Sequence, residues 1–195
     1  MSAFAQFREN ERERRRDHIV ASAIELFRKK SFHTIGMREI AKEAGISPAS
    51  IYRYFPSQDD LYAEILLLRL PGLEQELKKY SKGDSLLTKK IAEITIGYFL
   101  THDAEFQILC QFMLRKDLSE GAKAKFDALE KYYIRLLKKM TPDSERADGS
   151  RLLYPTILAS LIGIAMVINN QPDLSREEIR QLIHIPIQLI VDGIQ

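Results

Sequence analysis

Thr34-Ile-Gly-Met-Arg-Glu-Ile-Ala-Lys-Glu-Ala-Gly-Ile-Ser-Pro-Ala-Ser-Ile-Tyr-Arg-Tyr-Phe-Pro-Ser-Gln-Asp-Asp-Leu-Tyr62 reads as two short helices joined by a tight turn, with a third helix starting at once. The first is expected over Met37 to Ala44, with Ile40, Ala41 and Ala44 on one face and Gly45 free to take the left-handed conformation that ends it. Ser47 then caps the second helix through its side-chain oxygen. Pro48 suits the first helical position, where a missing amide costs nothing. Ile51 and Phe55 point inward, which leaves Ala49, Ser50, Arg53 and Tyr54 facing out and Tyr52 at the edge of the buried stripe. Ser57 and Asp60 form a capping-box-like pair ahead of the apolar run Leu61, Ile65, Leu66 and Leu68.

A short second helix laid across a first is the arrangement that places its N-terminal residues along base edges in a major groove, so the stretch reads as a reader of double-stranded DNA. Further positions make a resemblance specific. Ala21-Ser-Ala-Ile-Glu-Leu-Phe27, Phe32, Arg38-Glu-Ile-Ala41, Ala44-Gly-Ile-Ser47, Ile51-Tyr-Arg-Tyr-Phe55 and Leu61 together resemble the N-terminal domain of the TetR (tetracycline repressor) family of bacterial regulators, over roughly residues 14 to 62. The resemblance implies an all-α fold: an N-terminal three-helix helix-turn-helix DNA-binding domain followed by a larger helical ligand-binding and dimerisation domain. On this chain that is an arm over 1–13, the DNA-binding domain over 14–62 and the helical domain over 63–195. It further implies a homodimeric repressor, a near-palindromic operator with recognition helices roughly 34–36 Å apart or a multiple of it, and release by a small apolar or aromatic effector.

Carried over residue by residue, the resemblance puts Arg38 on base edges or phosphate, Pro48 and Ala49 on thymine methyls, and Tyr52 on a base edge or phosphate. Ser50 and Tyr54 would donate to phosphate oxygens, behind the Ser47 cap. Arg53 has two readings: a bidentate pair with guanine, or a phosphate-bound or solvated cation. Gly36 stands where the family usually has Ser or Thr, so only its backbone amide remains for phosphate. Gln58 stands where the family often has a phosphate-binding lysine, which lowers the charge contributed there. Arg8, Arg12, Arg14, Arg15 and Arg16 form a candidate arm for phosphates or a minor groove. Glu9, Glu11, Glu13 and Asp17 nearly cancel them, and a solvated helix laced with ion pairs is the alternative.

Bulk properties set the frame. With 195 residues, 45% hydrophobic and 29% charged, the chain fits a small domain fused to a larger one and is neither disordered nor fibrous. The net charge is +2, and its excess of Lys and Arg lies within residues 1–62. The single cysteine, Cys110, allows no disulfide within the chain, and neither a secretion nor a lipidation signal is seen, so a cytoplasmic setting is expected. The apolar stretch Leu152 to Ile168 would span about 25 Å as a helix and contains Pro155, Thr156, Ser160 and Gly163, the pattern of a buried helix and not of a membrane span.

Helical periodicity runs through the remainder. A long helix should start near Gln58 and be kinked or broken at Pro71-Gly72, with a loop at Lys82-Gly-Asp84. Helices follow over about 85–101, 103–116, 119–140, 151–170 and 175–193, with a polar loop from Thr141 to Ser150 and a bend expected at Pro186. On the last two helices, Thr156, Ser160, Gly163 and Val167 on one and Ile183, Ile187 and Ile190 on the other suit a four-helix bundle with a second subunit. The alternative is a helical hairpin within a monomer. Candidate ligand contacts are Tyr98, His102, Phe106, Cys110, Met113, Tyr133 and Asn169, each also readable as ordinary core or surface. His18, His33, His102 and His184 are scattered and no paired-Cys, His-Glu-x-x-His or glycine-rich phosphate motif occurs, so neither an enzyme nor a metal or other cofactor is expected. A helical adaptor without sequence-specific DNA binding is the alternative reading of function.

Overall fold

The computed structural model describes residues 3–30, 34–79, 87–140, 150–171 and 173–192. Among the described residues it is all-helical: α1 (Ala3–Lys29), α2 (Met37–Glu43), α3 (Pro48–Ile51), α4 (Gln58–Lys78), α5 (Leu87–Thr101), α6 (Asp103–Leu114), α7 (Glu120–Met140), α8 (Ser150–Asn169) and α9 (Arg176–Asp192). The loops expected at Lys82-Gly-Asp84 and over 141–149 lie outside the described residues. The chain divides into two compact units, Met1–Leu68 with Gln107–Phe126, and Arg69–Phe106 with Asp127–Gln195.

In the first unit α1 packs on α2 and α2 on α3. Ile19 and Ala23 of α1, Ile40 and Ala41 of α2, Ile51 of α3, and Leu61 and Ile65 of α4 are all buried, each large side chain contributing about 1.5–3 kcal/mol relative to exposure. Phe27 meets Tyr62 edge to face at 5.5 Å, and Phe112 of α6 meets Phe126 of α7 in the same way at 5.5 Å. The segment expected as an arm is helical from Ala3 onward and forms one continuous helix with the residues up to Lys29.

The helix ends follow the expected chemistry. α2 closes on Ala44, after which the Ile46 amide returns to the Ala41 carbonyl at 2.9 Å and Gly45 sits at φ 65. Ser47 accepts the Ser50 amide at 3.1 Å to open α3, with Pro48 first in the helix. Ser57 Oγ accepts the Asp60 amide at 3.1 Å and donates to the Asp60 carboxylate at 2.6 Å to open α4.

In the second unit α5 packs on α8 and α9, and α8 on α9. Leu73 and Leu77 of α4 are buried with Ile91 of α5 and with Tyr133 and Leu136 of α7. Of the kink or break expected at Pro71-Gly72, the break does not occur, and α4 runs through both residues. Proline forfeits one helical hydrogen bond, and the burial of Leu73 and Leu77 just beyond it offsets that loss. The Tyr98 ring lies over Gly72, 3.7 Å from where a Cβ would stand, and its phenol donates to the Arg69 carbonyl at 2.9 Å. Pro155 and Pro186 likewise sit inside α8 and α9 without ending them.

Burial pushes the Tyr62 and Tyr98 phenols up to about 12, in Tyr98 with help from the Glu105 carboxylate. Folded values above the ordinary value of about 10 mean that the unfolded chain ionises first, so stability is intact below about pH 10 and declines as pH rises toward 12. Urea titrations at rising pH measure this decline, which Tyr62→Phe should flatten. Gly45→Ala places a side chain in open space but at φ 65, so its cost is conformational, about 1–2 kcal/mol in chemical denaturation.

Candidate nucleic-acid interface

α2 begins at Gly36, whose backbone is extended and whose amide donates to Glu39 Oε2 at 3.3 Å. Lys30 Nζ holds the other oxygen of that carboxylate at 3.0 Å. The Lys30 hydrogen bond first, and the Gly36 amide second, keep the Glu39 carboxyl below its ordinary value. The amide that the sequence reading left for phosphate is therefore already bonded within the helix start, because glycine offers no side-chain cap and Glu39 reaches back in its place. Arg38, the second residue of α2, is exposed and enters no ion pair among the described residues.

The turn is fastened from outside the motif. His18 of α1 places Nε2 3.2 Å from the Ala44 carbonyl, a contact with no signature in the sequence. Beyond it α3 is a single turn, followed by tight bonds from the Arg53 amide to the Ser50 carbonyl at 3.2 Å and from the Tyr54 amide to the Ile51 carbonyl at 3.0 Å. Ile51 and Phe55 are 0% exposed and Tyr52 is 50% exposed, so Tyr52 belongs to the outward face and not to the edge of the buried stripe. Pro48, Ala49 and Arg53 are exposed with it, while Ser50 and Tyr54 are half-buried. Ser50 Oγ pairs with Ser47 Oγ at 2.8 Å.

Two expected outward residues turn inward. Gln58 Nε2 donates to the Ile35 carbonyl at 2.9 Å and to the Tyr62 hydroxyl, bracing the segment that leads into α2. Arg16, grouped above with the arm, donates from Nη1 to the Tyr54 carbonyl at 3.0 Å and from Nη2 to Glu64 Oε2 at 2.8 Å. Arg8, Arg12 and Arg14 are exposed, and Arg15 pairs with Glu11 one turn earlier at 3.3 Å.

The candidate ligand residues fall in both units. Tyr98, His102, Phe106, Tyr133 and Asn169 belong to the second, and Cys110 and Met113 to the first. Tyr98 stacks on His102 with ring centroids 4.0 Å apart, and Phe106 is buried against Phe99 at 5.3 Å. Tyr133 is buried and its hydroxyl pairs with Thr95 Oγ1 at 2.7 Å. Cys110 is half-buried, whereas Met113 and Asn169 are exposed. Sequence reasoning missed Glu105, which is only 5% exposed and lies 3.0 Å from Arg69 Nε. Its place three, four and seven residues before the buried Ile108, Leu109 and Phe112 was the readable signal.

On α8 Thr156, Gly163 and Val167 are exposed and Ser160 is half-buried, while Leu161, Ile162, Ala165 and Ile168 are buried. Ile183 of α9 is half-buried; the side chains of Ile187 and Ile190 lie outside the described residues. No described helix is long and apolar enough to cross a membrane, and no cluster of metal-ligating side chains occurs among the described residues.

Comparison with known proteins agrees with this geometry. Residues 19–65 match the family model for bacterial regulatory proteins of the tetR family. The HTH-type transcriptional regulator HbdR of Aromatoleum sp. (strain CIB) is 30% identical over 93 residues, which cover 48% of this chain and 41% of that protein. The chain spans about half the length of the curated relatives it matches. Among solved structures, the fatty acid degradation regulator FadR from Bacillus halodurans superposes with a TM-score of 0.68 at 18% identity, over 92% of this chain and 99% of that one. FadR from Bacillus subtilis, solved in complex with stearoyl-CoA, gives 0.65 at 20% identity, over 91% and 98%. The helix-turn-helix of α2 and α3 thus lies within the residues 19–65 that match the tetR family model, and the all-helical remainder shares the fold of these solved structures, so the chain is similar to the tetR family of bacterial regulatory proteins.

Proposed function

We propose that the chain is a cytoplasmic transcriptional repressor, a homodimer that reads a near-palindromic duplex through α2 and α3 and is released by a small, largely apolar effector. The observation that carries this reading is the split character of α3: Ile51 and Phe55 are sealed, while Pro48, Ala49, Tyr52 and Arg53 stand in solvent on one short element. Such an edge matches the way a second helix of this motif enters a major groove. Pro48 and Ala49 offer apolar contact to thymine methyls. Arg53 pairs with guanine, and Arg38 and Tyr52 reach base edges or phosphate.

Dimerisation is supported by α8, where the small or short side chains at 156, 159, 163 and 167 face outward together with half-exposed Met166. Small side chains let a second helix approach closely, and the exposed Ile185 of α9, 59% accessible, extends the apolar area. The effector reading draws on FadR from Bacillus subtilis, which binds a long acyl chain carried on coenzyme A, and on the aromatic set Tyr98, Phe99, Phe106 and Tyr133 of the second unit. An effector releases DNA only to the extent that it binds the DNA-free state more tightly.

Selection from a randomised duplex library with the full-length protein should return a near-palindrome, and failure to enrich any sequence would favour the adaptor reading. On the selected duplex, Arg53→Ala should reduce discrimination at one base pair per half-site by about 1–3 kcal/mol, measured by fluorescence anisotropy on single-mismatch probes. Val167→Asp should shift sedimentation from dimer to monomer by burying an unpaired charge at the α8 face. Native mass spectrometry of the purified protein would identify a retained effector.

A further inference from the structure

The helix α3 ends after one turn, so the carbonyls that follow it have no helical partner of their own. Pro56 comes next and has no amide to offer. The Tyr54 carbonyl is satisfied instead by Arg16 Nη1 at 3.0 Å, from α1. The same guanidinium lies 4.6 Å from the centre of the Phe55 ring and gives Nη2 to Glu64 Oε2 at 2.8 Å. A planar fork engaged on three sides has little freedom left.

Glu64 Oε2 takes a second cation, Lys125 Nζ of α7, at 2.6 Å. One carboxylate oxygen on α4 thus joins α1 to α7. The neighbouring acids at the start of α4 are held from the same stretch of chain: Arg115 Nη1 lies 2.7 Å from Asp59 Oδ1, and Ser119 Oγ lies 3.4 Å from Asp60 Oδ2. Residues 115–125 therefore grip the first two turns of α4 at three acids, and of these Glu64 is the one whose contact continues to the recognition turn.

We propose that Arg16, Glu64 and Lys125 form a positioning relay that holds the recognition turn at Tyr54 and Phe55, with Arg16 acting on the protein backbone and not on DNA. The pairs are 23–31% exposed, so their worth to global stability is small and their content is geometric. The relay rests on the DNA-binding reading above for its consequence, and on the free protein alone for its existence.

The sign of one substitution separates the relay from simple electrostatics. Glu64→Gln removes a negative charge near the DNA face, which by charge alone strengthens binding to a polyanion. The relay requires the opposite. On a duplex selected from a randomised library by the full-length wild-type protein, Glu64→Gln and Arg16→Lys should each bind about tenfold more weakly, the size of a lost charge-assisted hydrogen bond. Lys125→Met should weaken binding about threefold, as for a half-exposed pair. The dependence of log K on log salt should keep its wild-type slope in Arg16→Lys and Arg16→Met. In the free protein, hydrogen exchange at the Tyr54 and Phe55 amides should accelerate several-fold in Glu64→Gln and Arg16→Lys, with the Ile40 amide unchanged.

Equal or tighter binding by Glu64→Gln overturns the relay, as does unchanged exchange at Tyr54 and Phe55. A slope shallower by about one unit per subunit in Arg16→Met would make Arg16 a phosphate contact and also overturn it. Failure of the wild-type protein to select any duplex removes the DNA-binding reading, and the exchange experiment still decides whether the relay exists.

Discussion

A helix of four residues cannot hold itself together in water, and the outward edge that α3 presents depends on the burial that does it instead. Ile51 and Phe55 are fully enclosed. Their enclosure fixes which side of α3 faces solvent, and hence which side chains the proposed DNA-binding reading can draw on. The Gly45 turn and the Ser47 cap set how the chain enters α3, and α1 secures both ends through His18 at Ala44 and Arg16 at Tyr54. Each of these bonds has modest energy. Together they convert a turn that would otherwise fray into a fixed edge.

The charges of the first unit are used more for architecture than for attraction. Lys29 pairs with Glu43, Lys30 with Glu39, Arg16 with Glu64, and Arg115 with Asp59. What remains outward on the motif itself is Arg38, Lys42 and Arg53, with Arg8, Arg12 and Arg14 further along α1. A net charge of +2 is too small to make the whole molecule a polyanion binder. In the proposed reading, DNA recognition rests on where a few cations and apolar groups are aimed, which is the quantity that the burial of Ile51 and Phe55 controls.

The second unit is built on another compromise. Thr95 with Tyr133, and Glu105 beside Arg69, place polar groups inside an otherwise apolar interior. Buried polar groups that find partners narrow the ways a core can pack, because an unpartnered alternative is expensive. Along α8, Leu161, Ile162, Ala165 and Ile168 go inward, while Ala159, Gly163 and Val167 stay out with Met166.

Residue order by itself determined the local events. Gly45 after Ala44, Ser47 before Pro48, and Ser57 three residues ahead of Asp60 act within one turn of chain, and the structure has each of them where the pattern put it. Helix count and limits were legible for the same reason, since apolar spacing and caps are local. Only the tertiary structure decided what depends on partners distant in sequence. Arg16 read as one arginine in a basic arm because its partners, Tyr54 and Glu64, are 38 and 48 residues away. Gln58 read as a phosphate-facing position, yet the Ile35 carbonyl 23 residues earlier takes its amide. Pro71-Gly72 read as a kink or break, and α4 continues past them because Leu73 and Leu77 find a core to enter. Backbone propensity and capping are properties of a few adjacent residues, whereas the direction of a long polar side chain is set by whichever unsatisfied group the fold brings within reach.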